Sequence, residues 1–149
     1  MAQEHLATAI CQTALAGALL RVEPVPRRNQ RALFACVEGN FHILGLRMVA
    51  DAFELAGWDN AYLGADASTA ALLGQIASIR PNVVGLSVSL PQHVEKVHAL
   101  IRLCRLELGG QCPSIIVGGL AMNSVDDLWR RVEADRWYPD ARTAQREAL

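Results

Sequence analysis

Ala32-Leu33-Phe34-Ala35-Cys36-Val37-Glu38-Gly39-Asn40-Phe41-His42-Ile43-Leu44-Gly45 decides how this chain folds. Six consecutive apolar residues read as a strand buried on both faces, and the segment that opens at Ile43 has the apolar spacing of a helix. A strand, a short turn and a helix make the repeating unit of an open parallel sheet, whose ligands bind at the carboxyl edge where such turns gather. The same turn recurs twice: Ser87-Val88-Ser89-Leu90 follows one apolar run, and Gly118-Gly119 follows another. A histidine, a pair of hydroxyls and a bare glycine surface are therefore expected on one rim.

Working outward, the helix after the first strand (Arg31 to Val37) carries Leu46, Val49, Phe53 and Ala56 on one face and stops at Gly57. Ala61-Tyr62-Leu63 reads as a short second strand. Ser68 caps a helix with Leu72, Leu73, Ile76 and Ile79 inward, ended by Pro81. Val83 to Val88 is the third strand. Val94, Val97, Ile101, Cys104 and Leu108 mark the next helix, up to Gly109-Gly110. Ser114 to Val117 is the fourth strand, Val125, Leu128, Trp129 and Val132 mark a further helix, a very short fifth strand lies near Arg136-Trp137, and Asp140 caps a last helix. Five strands alternating with helices predict an α/β fold, a doubly wound five-stranded parallel sheet of flavodoxin-like (Rossmann-like) order. The first and third strands are then neighbours, so His42 and Ser87 leave adjacent strand ends.

Before that unit lies an alanine-rich helix, Ala2 to about Arg21, with Leu6, Ile10, Ala14, Gly17 and Leu20 along one side. Two prolines among polar residues 23–30 form a linker. The apolar stripe of the first helix needs a cover, and a two-fold homo-oligomer is the simplest one.

Composition narrows the function. With 149 residues there is room for one domain with a real core. Apolar residues at 52% against 19% charged exclude a disordered chain, and a net charge of −1 offers no reason for nucleic-acid binding. No apolar stretch is long enough for a membrane span and the N-terminus lacks a basic signal-peptide start, so the expected compartment is the cytoplasm. Cys11, Cys36, Cys104 and Cys112 are scattered without CxxC spacing, which argues against zinc and disulfides. No GxGxxG follows the first strand and no GxxxxGK[ST] occurs, which argues against dinucleotides and nucleoside triphosphates. Carboxylate pairs, a nucleophile elbow and a Cys-His pairing are also missing, so catalysis by this domain's own side chains is not expected.

Taken singly, each rim residue has an ordinary structural explanation: His42 as a loop histidine beside a capping Asn40, the serines as partners of nearby backbone, the glycines as a plain turn. Together, at three strand ends on one edge, they suggest a metal-bearing cofactor held against backbone. His42 is the metal-ligating candidate, since an imidazole coordinates through one nitrogen while a neighbour such as Asn40 holds the other.

Asn40-x-His42-x-x-Gly45, Ser87-x-Ser89-Leu90 and Gly118-Gly119 resemble the DxHxxG…SxL…GG signature of cobalamin-binding domains, over a stretch from about Arg31 to the C-terminus. Ala56-Gly57-Trp58-Asp59 with Tyr62-Leu63-Gly64-Ala65-Asp66 adds to the likeness. Glu4-His5-Leu6-Ala7-Thr8-Ala9 is similar to the final helix of the four-helix cap in sensory members. The resemblance implies residues 1–22 as a remnant of that cap, 23–30 as linker and 31–149 as the cobalamin-binding-like domain. It further implies adenosyl- or methylcobalamin held base-off with His42 as lower axial ligand to cobalt. The nucleotide tail would pass Ser87 and Ser89, with Gly118 and Gly119 giving it room and His5 near the upper face, and Asn40, Gly45 and Leu90 would complete the cofactor-binding set. Two departures stand out. Asn40 replaces the usual Asp, and one helix replaces the cap, so a partner effector or cap domain, or a second copy, is expected.

Related domains hold haem or biliverdin, which makes another tetrapyrrole the alternative ligand. Ile43-Leu44-Gly45-Leu46-Arg47 lacks the Asp and Lys of the DVHDIGK-like run of corrinoid methyl carriers. The expectation is a non-enzymatic sensory or regulatory module, with photoreceptor as one such role and a methyl-transfer carrier subunit as the enzyme-class alternative.

Overall fold

Buried strands set the architecture. The structure, a computed structural model, describes residues 2–148. The strands are β1 (Arg31–Val37), β2 (Asp59–Ala67), β3 (Val83–Ser87), β4 (Ser114–Gly118) and β5 (Arg136–Trp137), all parallel, in the order β2-β1-β3-β4-β5. That is the flavodoxin-like order. The helices are α1 (Ala2–Leu19), α2 (Ile43–Leu55), α3 (Thr69–Ile79), α4 (Val94–Leu108), α5 (Leu120–Asn123), α6 (Leu128–Arg131) and α7 (Ala141–Glu147). Two of them start as their sequence demands: Ser68 Oγ accepts the Ala71 N–H at 3.2 Å, and Asp140 accepts the Thr143 N–H at 2.8 Å.

The strands alternate between two cores. Leu33, Ala35, Val84, Leu86, Ile115 and Val117 face α3, α4 and α6, where they meet Leu72, Ile76, Val97, Ile101 and Cys104. Ala32, Phe34, Cys36 and Ile116 face α2 and α7, where they meet Leu46, Ala50, Phe53 and Ala144. Phe34, Phe53 and Trp58 interlock edge to face, with ring centroids 5.0 and 5.1 Å apart.

Two expectations are corrected. The second strand is not the short Ala61–Leu63 run but spans Asp59–Ala67. As an edge strand it is only half-buried, so its polar residues hid its length. The helix expected around Val125–Val132 is two single turns, α5 and α6, broken at Ser124–Asp127 where Asp127 adopts φ +57. The apolar stripe of α1 stays uncovered within the chain: Leu6, Ile10 and Leu20 are 63, 59 and 90% exposed, while Thr8, Gln12, Leu15 and Leu19 are half-buried, and α1 packs on α2.

The linker after α1 is clasped to the amino end of the sheet. Arg27 donates to the Trp58 carbonyl at 2.7 Å, the Arg28 N–H donates to the Gly57 carbonyl at 2.7 Å, and the Asp59 N–H donates to the Gln30 carbonyl at 2.9 Å. Gly57, at φ +88, has no Cβ where the Pro26 carbonyl comes to 2.5 Å. Among the described residues no helix is long and apolar enough to cross a membrane.

Candidate functional site

Register brings the rim together. Cys36 pairs with Ser87 and Ser87 with Gly118, so the loops leaving β1, β3 and β4 start side by side. Beneath them a cavity of about 970 Å³ runs between the sheet and the α2–α7 layer, near the top of the ~300–1,000 Å³ range of small-molecule sites. His42, Gly45, Ser87, Ser89, Gly118 and Gly119 all line it. Phe34, Gly85 and Ile116 line it from the sheet, Leu46 and Val49 from α2, Tyr138 from the residue after β5, and Ala144 from α7. His5, Thr8 and Gln12 line it from α1, so the polar side of that helix faces the cavity and the apolar side faces out.

Two expected residues stand outside the lining. Leu90 starts the one-turn helix at Pro91–His93 and does not reach the cavity. Asn40 is fully buried behind the loop, with its side chain engaged at both ends. Oδ1 accepts the His42 N–H at 3.1 Å, and Nδ2 donates to the Ser87 carbonyl at 2.9 Å and to Ser89 Oγ at 3.3 Å. The expectation that Asn40 holds the imidazole is thereby corrected. A side chain two residues upstream closes on the backbone N–H of His42 as an Asx turn, and the His42 ring makes no hydrogen bond to it.

The rest of the loop is equally tied. The Asn40 N–H donates to the Val37 carbonyl at 2.9 Å, and the Asp66 N–H donates to the Asn40 carbonyl at 3.1 Å. The Asp66 carboxylate accepts the Gly39 N–H at 2.7 Å. The His42 side chain itself is exposed and makes no hydrogen bond among the described residues, so its nitrogens are free for a ligand.

Glycine serves two different ends here. Gly119, at φ +105, would drive a Cβ to 2.6 Å from the Val88 carbonyl oxygen, so its identity is required by the chain's own turn. A Cβ on Gly45 would meet nothing within 4 Å, which leaves open space at the rim.

Below the loop, Cys36 donates to the His42 carbonyl at 3.8 Å. Burial pushes its thiol up to about 11 against an opposing hydrogen bond from Ser87, so it stays neutral. His93 is buried beside Gly39, with Nδ1 lacking a partner. Burial lowers its pKa, and Lys96 and His42 add to the lowering.

The donor set suits a metal that brings its own ligands. Among the described residues there is no cluster of three or more His, Cys, Asp or Glu side chains able to hold a bare ion. The free imidazole of His42 could give a metal one ligand at this apolar cavity, so a group that fits would bring the remaining ligands itself.

Residues 30–149 match the family described as "B12 binding domain". The chain belongs to this family. Over 87 residues this B12-binding domain is 39% identical to the HTH-type transcriptional repressor CarA of Myxococcus xanthus, which covers 58% of the chain and 30% of the repressor. Its structure is similar to a cobalamin-binding protein from Desulfitobacterium hafniense, with a TM-score of 0.75 and 22% identity over 95% of this chain and 66% of that one. It is also similar to the monomethylamine corrinoid protein of Methanosarcina barkeri, with a TM-score of 0.75 and 19% identity over 82% of this chain and 57% of that one. At such identities the two structures speak for the fold.

Sequence reasoning missed several residues of the B12-binding domain that shape its cavity. Gly85 had a signal, a glycine inside an otherwise apolar strand. Tyr138 and Ala144 had none, since tertiary packing alone brings β5 and α7 across the sheet.

Proposed function

We propose that this B12-binding domain is a non-enzymatic sensory or regulatory module that holds cobalamin base-off, with His42 as lower axial ligand. The observation that carries the reading is the single cavity shared by His42, the two serines, the glycine pair and His5. His42 presents a free imidazole, Ser87 and Ser89 offer hydroxyls where the nucleotide tail would enter, and Phe34, Gly85 and Ile116 form the apolar bed beside them. An alkylcobalamin held here would supply a coloured cobalt centre with a light-sensitive cobalt–carbon bond. The chain supplies what surrounds it: the strand-end hydrogen bonds fix the His42 backbone, the apolar walls exclude water, and α1 places His5 on the cavity.

In this reading residues 1–22 are the remnant of a helical cap, 23–30 its linker and 31–149 the cofactor domain. The exposed stripe of α1 is covered in a homo-oligomer or by a partner cap. Similarity to a transcriptional repressor favours regulation over methyl transfer.

Visible spectra of the protein titrated with hydroxo-, methyl- and adenosylcobalamin, dark and lit, test the proposal. His42→Ala should abolish the base-off, His-on spectrum and weaken binding by at least about 100-fold, because a coordinate bond is lost. An unchanged spectrum in His42→Ala, or binding of haem or biliverdin with no binding of cobalamin, would overturn it.

A further inference from the structure

Two departures from the family signature meet in space. Asn40 stands where the signature has Asp, and counted from Ser87 the signature's Leu position is taken by Ser89. Asn40 Nδ2 donates to Ser89 Oγ at 3.3 Å and to the Ser87 carbonyl at 2.9 Å. The chemistry fixes which end of the amide points where. The Ser87 carbonyl only accepts, so it demands the NH₂, and the His42 N–H only donates, so it demands Oδ1. A carboxylate fills the second role but not the first.

We infer that Asn40 is a positioning residue that straps the loop after β1 to the loop after β3, and that this strap, not a side-chain partner on the imidazole, presents His42 to the cavity. The side chain is fully buried, so no water stands ready to replace a lost donor. Three otherwise separate groups, the His42 N–H, the Ser87 carbonyl and the Ser89 hydroxyl, depend on one amide. The aim of His42 is then set through its backbone, and its second ring nitrogen stays uncommitted. A carboxylate at this position could take a hydrogen bond from the Ser89 hydroxyl but would face the Ser87 carbonyl with no donor, so restoring the signature's Asp should loosen the site.

This inference rests on the cobalamin reading only for its last consequence, and its main test needs no cofactor. In the protein without cobalamin at pH 7.5, Asn40→Asp should melt about 5 °C or more below wild type, since a buried carbonyl loses its donor. The loss should shrink in acid as the introduced carboxyl takes up a proton and regains a donor. Amide hydrogen exchange separates the two halves of the strap. The His42 N–H should stay protected in Asn40→Asp, which keeps an acceptor, and lose protection at least tenfold in Asn40→Ala. Ser89→Ala should have the smallest effect of the three. With cobalamin, Asn40→Asp should show less, not more, of the His-on spectrum. An Asn40→Asp protein as stable as wild type at pH 7.5, equal His42 protection in Asn40→Ala, or a strengthened His-on spectrum in Asn40→Asp would each overturn the inference. Failure of cobalamin to bind wild type would count against the proposed function and leave the melting and exchange results to decide the strap.

Discussion

The two faces of the sheet use the same strands for opposite purposes. Toward α3 and α4 the residues are Val, Ile and Leu with one Ala, and the row of Leu33, Val84 and Ile115, in register at zero exposure, is filled. Toward α2 and α7 the register row is Phe34, Gly85 and Ile116. There a glycine stands where the neighbouring strands carry bulk, and the cavity opens along that row. A parallel sheet covered on both sides need not be packed alike on both. Here stability is concentrated on one face and room for a ligand on the other.

Substitution on the filled face should separate the two properties most strongly. Ile101→Ala, at a position with no exposure, should cost about 2–5 kcal/mol, as such cavities do. Cobalamin affinity of the folded fraction should not change. Urea unfolding and spectral titration together check this, and an affinity loss as large as the stability loss would break the contrast. The groove face should behave otherwise. A Cβ on Gly85 would lie 2.5 and 2.6 Å from two ring carbons of Phe34, so Gly85→Ala forces the ring to move. The expected cost is about 1–3 kcal/mol, with weakened cobalamin binding because Phe34 and Gly85 both line the cavity. Normal affinity in Gly85→Ala would mean that the bed of the cavity is not where the ligand lies.

The smallest effect belongs to His93, between the rim loop and α4. Its pKa in the fold is lowered by burial, with Lys96 and His42 adding to it. The unfolded chain therefore takes up a proton at higher pH than the native one does. Stability from this group is complete above the ordinary histidine value of about 6.5 and is lost as pH falls through the lower native value. His93→Phe should flatten that part of the profile between pH 7.5 and 5. Melting curves at the two pH values check it, and parallel slopes in both proteins would refute it.

What could be read in the sequence follows the same division. β1 was legible to the residue because both its faces are buried, leaving an unbroken apolar run. β2 was not, because an edge strand half in water carries Asp59, Asn60 and Asp66, and Gly64 at φ +77 sits where its pairing with β1 shifts register. The strand order followed from the alternation of elements, and the gathering of His42, Ser87 and Gly118 from their places at strand ends. The use made of Asn40 was not legible. Spacing put it within reach of His42, but the choice between ring and backbone depends on where β3 ends. The face α1 turns inward was hidden too, since Thr8 and Gln12 are polar and it is the cavity, not a core, that they line.

The clasp at Arg27 and Arg28 gives α1 a mechanical character. It grips the chain at the amino end of the sheet, whereas His5 reaches the opposite, carboxyl edge. From Leu19 back to His5 the helix is about 21 Å long at 1.5 Å per residue. Pivoted at its Leu19 end, a rod of that length would magnify: a tilt of about 10° would sweep the His5 end through roughly 4 Å. The outward apolar side chains of Leu6 and Ile10 travel with it, so whatever displaces that tip at the cavity also displaces the surface that neighbouring molecules meet.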